Sequence, residues 1–354
     1  MHYSTLISFG LLLKLSTASY VLEDDYTSNA FFSFFTFFTA ADPTNGYVHY
    51  VDQGTAQNTG LLSIVNNQVH IGVDSNNVAT GSGRNSVRIT SNKSYNHGLF
   101  ILDLAHMPGG VCWLVGPDWP NQGEIDIIEG VNDQTNNAMT LHTSDGCTIV
   151  DSNAFTGTLA TSNCYINAPG QATNAGCDIQ SQDSRSYGAG FNAIGGGVIA
   201  TEWTSDVINI WFFPRGTTPA DISNGVPNPA TWGAPVAQFD GSCDIDSHFQ
   251  NQQIVFDTTF CGDWAGAVWS SSAKCAALAP TCQSYVQNNP GAFADMYWLI
   301  NSLKVYQSTG ASNAATAVHQ LLASSKNETL PLSSEPLAMG GSVPVSKRRR
   351  VGRK

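Results

Sequence analysis

Apolar residues along this chain come in short runs, many of them alternating with Asn, Ser, Thr or Gly. The clearest lie at 61–65, 86–90, 99–104, 197–202, 207–213 and 299–306. A period of two sends successive side chains to opposite faces of a strand, so each run can bury one face and leave the other wet. Sustained helical periodicity is scarce. Many short strands broken by Gly, Asn, Asp and Pro predict an all-β sandwich, formed as one domain over residues 20–308. Phe31, Phe32, Phe34, Phe35, Phe37 and Phe38 fill one window that is too short to span a membrane. They read as buried packing, with a sugar-stacking platform as the lesser alternative.

The two ends differ from this body. Residues 1–19 form an apolar run ending in small residues. The apolar part, 6–15, is too short to cross a membrane and carries Lys14 near its end, so a secretory signal peptide is expected. Residues 309–354 are rich in Ala, Ser and Pro and end in Lys347, Arg348, Arg349, Arg350, Arg353 and Lys354, which predicts a disordered tail with a basic end. The expected location is extracellular, free or associated with a cell wall. Eight cysteines (Cys112, Cys147, Cys164, Cys177, Cys243, Cys261, Cys275 and Cys282) agree with export. None forms the CxxC pair of a zinc ribbon, and an even number suits disulfides in an oxidising compartment. The neighbours Cys275 and Cys282 are expected to bond. Asn92-Lys93-Ser94 and Asn327-Glu328-Thr329 read as glycosylation acceptors.

Charge narrows the partner. The 354 residues carry a net charge of −12, and only 12% are charged. An acidic balance argues against a nucleic-acid or anionic-membrane binder, both of which need a basic face. The body alone is at −18 and the tail at +5. A surface that relies on Asn, Ser, Thr and Gly suits a neutral polysaccharide.

The candidate chemistry lies in Gly123-Glu124-Ile125-Asp126-Ile127-Ile128-Glu129-Gly130. On a helix, Glu124 and Asp126 would point in nearly opposite directions; on a strand they share a face, with Ile125 and Ile127 behind them. Glu129 falls an odd number of residues from Glu124, so a regular strand would bury its charge among the isoleucines. One extra residue, a β-bulge near Ile127 and Ile128, returns Glu129 to the acidic face. Crowded carboxylates cannot all ionise, so one can hold a proton while another attacks. Glycoside hydrolysis divides the work in this way, and a separation of roughly 5–5.5 Å between the two carboxyls retains configuration. An acidic solvent face or a calcium site is the plainer reading of the same pattern.

GEIDIIEG resembles the signature of glycoside hydrolase family 16 in the bulged E-x-D-x-x-E form of its laminarinase-type members. The flanks Tyr95–Phe100, His106–Gly110, Gly116–Pro120, Leu141–Thr143, Phe212–Arg215, Cys261–Gly266 and Tyr297–Leu303 are similar to the secreted fungal endo-1,3(4)-β-glucanases of that family. The resemblance implies a concanavalin-like β-jelly-roll with a concave substrate cleft and a retaining endo-β-glucanase activity on laminarin or lichenan. It also implies Glu124 as nucleophile, Glu129 as general acid/base and Asp126 between them. His142 would sit near the acid/base, Trp113 and Trp119 would stack on sugars, and Trp264 would line the cleft. A monomer acting on β-glucan is expected, with no nucleic acid, membrane or cofactor involved; a structural calcium ion remains open. The family usually carries a longer stretch between its Gly-Gly-x-Cys and Trp-x-x-Gly-Pro segments, but here Cys112 abuts Trp113. That shortening predicts a shifted register or a lost sugar-binding aromatic in a cleft strand. Two rivals follow: a catalytically impaired glucan-binding protein, and a cell-wall transglycosylase, although those relatives typically show the unbulged D-E-I-D-x-E strand.

Overall fold

Two antiparallel sheets of eight strands face each other across one core. The computed structural model describes residues 20–27, 29–150 and 153–309; the leader, the second sequon and the basic tail lie outside them. The sheet that carries the acidic strand runs in the order Thr158–Leu159, Cys177–Gln180, Ala138–His142, Glu124–Glu129, Val111–Val115, Gln253–Asp257, Arg88–Ser91, Phe35–Phe37. The opposing sheet runs Ala237–Phe239, Ile208–Pro214, Gly197–Trp203, Gly98–His106, Tyr297–Ser308, Gln68–Gly72, Leu62–Val65, and Tyr20–Asp25 also pairs with Tyr297–Ser308. The alternating runs in the sequence correspond closely to these strands. The fold is the expected jelly-roll sandwich.

The alternation also explains the core. Ile89, Leu114, Ile125, Leu141 and Ile254 point inward from the acidic sheet and meet Phe100, Leu102, Ile199, Trp298 and Ile300 from the other. Burying each such side chain stabilises the fold by about 1.5–3 kcal/mol, so the acidic strand rests on a densely packed floor. Phe31, Phe32 and Phe35 belong to this core, and Phe31 stacks on Phe35 at 4.8 Å. The phenylalanine window is therefore mostly buried packing, although Phe34 stays 38% exposed. Among the described residues, no helix is long and apolar enough to cross a membrane.

Asp263–Ala267, Trp269–Ser271, Ala273–Leu278, Cys282–Asn288 and Pro290–Phe293 are short helical pieces around a second apolar cluster, each too short to display helical periodicity in sequence. One expectation needs correction: Cys275 does not bond Cys282. The disulfides are Cys147–Cys243, Cys164–Cys177 and Cys261–Cys282, while Cys112 and Cys275 are buried thiols. Cys275 packs from its helix into the cluster around Trp269, whereas Cys282 begins the next helix and reaches the loop at Cys261. The short link at Cys112 and Trp113 lies within a strand whose pairing is unbroken on one side and takes up the bulge on the other. Val111–Val115 pairs residue for residue with Gln253–Asp257, from Val115 opposite Gln253 to Val111 opposite Asp257. Cys112 fills a core-facing position between Phe256 and Ile128.

Candidate active site

Each glycine flanking the acidic strand has a steric reason. Gly123 has φ +75°, and a Cβ there would lie 2.4 Å from the carbonyl oxygen of His248. At Gly130 a Cβ would press into the Tyr187 ring at 2.6 Å. Between them the strand pairs regularly at its start, with Glu124 opposite His142 and Val115, and Asp126 opposite Thr140 and Trp113. The register then shifts. Glu129, not Ile128, lies opposite Ala138, and Ile128 lies opposite Cys112. This is the expected bulge. Ile125, Ile127 and Ile128 all enter the core, and Glu129 returns to the face that carries Glu124 and Asp126.

That face is a graded acidic surface. Asp126 is 1% exposed and forms its floor, while Glu124 and Glu129 are half-buried on either side along the strand. Glu124, Asp126 and His142 bring ligand-type atoms within 4.8 Å of one another, with His142 Nε2 3.2 Å from Asp126 Oδ2. Gly176, at φ +59°, lets its strand pass close beneath His142, since a Cβ there would sit 2.9 Å from Nδ1.

Electrostatics follow from this crowding. Burial, and then the neighbouring Asp126, push the Glu124 carboxyl up to about 8. A side-chain hydrogen bond from Trp119 works in the opposite direction. Asp126 is likewise raised by burial, and by Asp257 and Asp178, while its hydrogen bond with Glu124 lowers it. Burial and then Asp126 hold Glu129 well above the ordinary carboxylate range. Glu124 and Asp126 hydrogen-bond to each other, so together they hold a proton, and Glu129 retains its own. The result is one carboxyl able to donate a proton beside another able to attack.

The sequence-derived residues distribute unevenly. Trp113 stands directly opposite Asp126, half-buried, and Trp119 is 42% exposed beside Glu124. Trp264 is 47% exposed on the short helix Asp263–Ala267, outside the cluster of Glu124, Asp126 and His142. The same face holds groups that sequence reasoning missed. Asp178 is opposite Thr140, and Asp257 is opposite both Arg88 and Val111. Arg88 lies between the rings of Phe38 and Trp113, at 4.9 and 5.0 Å, and 3.7 Å from Asp257. Tyr50 Oη bridges Asp257 and Asp42 at 3.2 Å each. Only strand pairing reveals these neighbours, because they are far apart in sequence. Glu124, Asp126 and His142 could chelate a cation geometrically, yet calcium prefers six to eight oxygen ligands and an imidazole is a poor substitute.

Residues 35–306 match the XgeA-like catalytic GH16 domain. This chain belongs to glycoside hydrolase family 16. It is 49% identical over 315 residues to an endo-1,3(4)-beta-glucanase of Arthroderma benhamiae, covering 87% of this chain and 69% of that protein. The chain spans about half the length of several other curated fungal relatives that it matches. Among solved structures, Laminarinase 16A from Phanerochaete chrysosporium, bound to 6-O-glucosyl-laminaritriose in donor and acceptor sites, is 45% identical with a TM-score of 0.78. The match covers 82% of this chain and all of that one. An elongating family 16 beta-1,3-glucosyltransferase is 42% identical with a TM-score of 0.76, again over 82% of this chain and 100% of that one. This family 16 chain therefore has relatives named for hydrolysis and one named for transfer.

Proposed function

We propose that the protein is a secreted, monomeric, retaining endo-β-glucanase that cuts internal β-1,3 bonds, and β-1,4 bonds of mixed-linkage chains, in laminarin- or lichenan-type glucans. The observation that carries this reading is the bulge, which turns Glu124, Asp126 and Glu129 to one face of one strand. Glu124 attacks the anomeric carbon as Glu129 gives its proton to the leaving oxygen, and the C–O bond breaks with a glycosyl ester formed on Glu124. A water then attacks that ester while Glu129 takes back a proton, which releases Glu124. Asp126 holds the proton that Glu124 must shed before it attacks. Trp113 and Trp119 offer aromatic faces for sugar rings. Carboxylates suffice for this chemistry, so the reading involves no cofactor. Export through residues 1–19 and glycosylation at Asn92 belong to the same proposal.

The test is reducing-end release from laminarin, lichenan and cereal β-glucan by the wild type and Glu124→Gln. Activity near the wild-type rate in the variant would remove Glu124 from the nucleophile role. A second reading, glucan elongation, is favoured by the 42% identity to the elongating glucosyltransferase. Incubation with laminarioligosaccharides separates the two: longer products indicate transfer, and shorter ones indicate hydrolysis.

A further inference from the structure

The bulge that delivers Glu129 creates a bonding problem. Where Ile127 and Ile128 together oppose a single partner residue, the ladder cannot pair every backbone group. A buried peptide group left without a partner costs about 1–3 kcal/mol, so something must satisfy it. Asn137 does. Its side-chain Nδ2 donates to the carbonyl of Ile127 at 2.8 Å, and its Oδ1 accepts from the backbone N–H of Glu129 at 2.9 Å. One planar amide thus spans Ile128 and stands in for the missing peptide of the neighbouring strand.

Asn137 is itself firmly held. It is 5% exposed. Its backbone N–H donates to Ser186 Oγ at 2.9 Å, Ser186 Oγ donates to the Asp183 carbonyl at 2.6 Å, and the Asn137 carbonyl accepts from the Ser181 N–H at 2.9 Å. Gln134 adds a longer contact to the Glu129 carbonyl, at 3.4 Å. Of the three acids on the face, Glu129 is the one beyond the bulge, and although it lies opposite Ala138 in the ladder, its backbone N–H is held by this side chain.

We infer that Asn137 is a positioning residue for Glu129: its amide sets the depth and direction from which the Glu129 carboxyl meets the leaving oxygen. This rests on the acid/base reading of Glu129. Glu124 and Asp126 precede the bulge and are paired regularly on both sides, so loosening Asn137 disturbs proton delivery and leaves nucleophilic attack intact.

The experiment compares laminarin with an aryl β-laminaribioside whose leaving group needs little protonation, using wild type, Asn137→Ala, Asn137→Asp and Glu129→Gln. Asn137→Ala should lower kcat/KM on laminarin by about a hundredfold, the effect of roughly a 1 Å misplacement, and change kcat/KM on the aryl substrate by less than about threefold, since kcat/KM reports formation of the glycosyl ester, which needs little acid catalysis with that leaving group. Asn137→Asp keeps an acceptor for the Glu129 N–H, loses the donor to Ile127, and should show the same selectivity together with a shifted basic limb of the pH profile. If Asn137→Ala fails to fold, the substrate ratio of Asn137→Asp decides. Equal losses on both substrates, or no loss on either, would overturn the positioning role. If Glu129→Gln itself lacks leaving-group selectivity, the acid/base reading fails instead, and the inference fails with it.

Discussion

Asp126 stands between two partners: its Oδ2 is 3.2 Å from His142 Nε2, and the same carboxyl hydrogen-bonds to Glu124. The charge on Asp126 is one cause of the raised Glu124 value, second only to burial. Asp126→Asn removes that charge and keeps the shape. The acid limb of kcat/KM on laminarin should then move to lower pH, while the plateau falls by about tenfold or more because the proton can no longer be taken up beside the nucleophile. An acid limb that stays in place would show that the two carboxyls titrate independently.

Stability should carry the same signature. The Glu124 carboxyl is raised from 4.5 to about 8 in the folded protein, so its protonated form is favoured by the fold. Its contribution is fully present below the unfolded value and is lost as pH rises through the folded one. Wild-type Tm should therefore fall between about pH 4.5 and pH 8. Glu124→Gln, which cannot ionise, should be more thermostable than wild type at the alkaline end and show a flatter profile. Differential scanning fluorimetry across this range would check it, and parallel curves for the two proteins would contradict the linkage.

Arg88 offers a second pH test away from the acidic strand. It faces the buried Asp257 from between two aromatic rings, and its charge opposes the burial that lifts Asp257 to about 6. Arg88→Leu leaves that carboxylate without its cation, a change that costs about 3–5 kcal/mol for a buried pair. Protonation of Asp257 relieves the penalty. The Tm difference between variant and wild type should thus be largest above pH 6 and shrink below it. A difference independent of pH would point to lost packing against Phe38 and Trp113.

Trp119 separates binding from folding. Its ring is 42% exposed, so Trp119→Ala should leave stability within about 0.5 kcal/mol, as is usual for surface positions. KM for laminarin should rise several-fold through loss of stacking worth about 1 kcal/mol, and kcat should fall too, because the hydrogen bond to Glu124 is lost. Unchanged KM with reduced stability would make the residue a packing element.

Gly123 resists replacement more strongly than Gly130 at the other end of the acidic strand. Gly123→Ala combines a left-handed backbone with a Cβ at 2.4 Å from a fixed carbonyl. Its Tm should fall by more than that of Gly130→Ala, where the obstacle is the Tyr187 ring and φ is not positive. Measuring both variants side by side tests the order.

Much of this protein follows from local pattern alone. Alternation marked the strands because period two is the geometry of a half-buried strand, and the odd step from Glu124 to Glu129 demanded a bulge because a buried lone carboxylate is too costly. What pairs with what was not legible there. Cys282 bonds Cys261 and not its near neighbour Cys275; Asp178, Asp257 and Arg88 join the acidic face from distant strands; and Asn137 mends the bulge from the strand next door. Register and cross-strand contact are set by the packing of two whole sheets, and side chains far apart in sequence become neighbours only when those sheets close on a common core. The sequence by itself determined the strands and the acids. The tertiary structure decided the company those acids keep, and with it their protons.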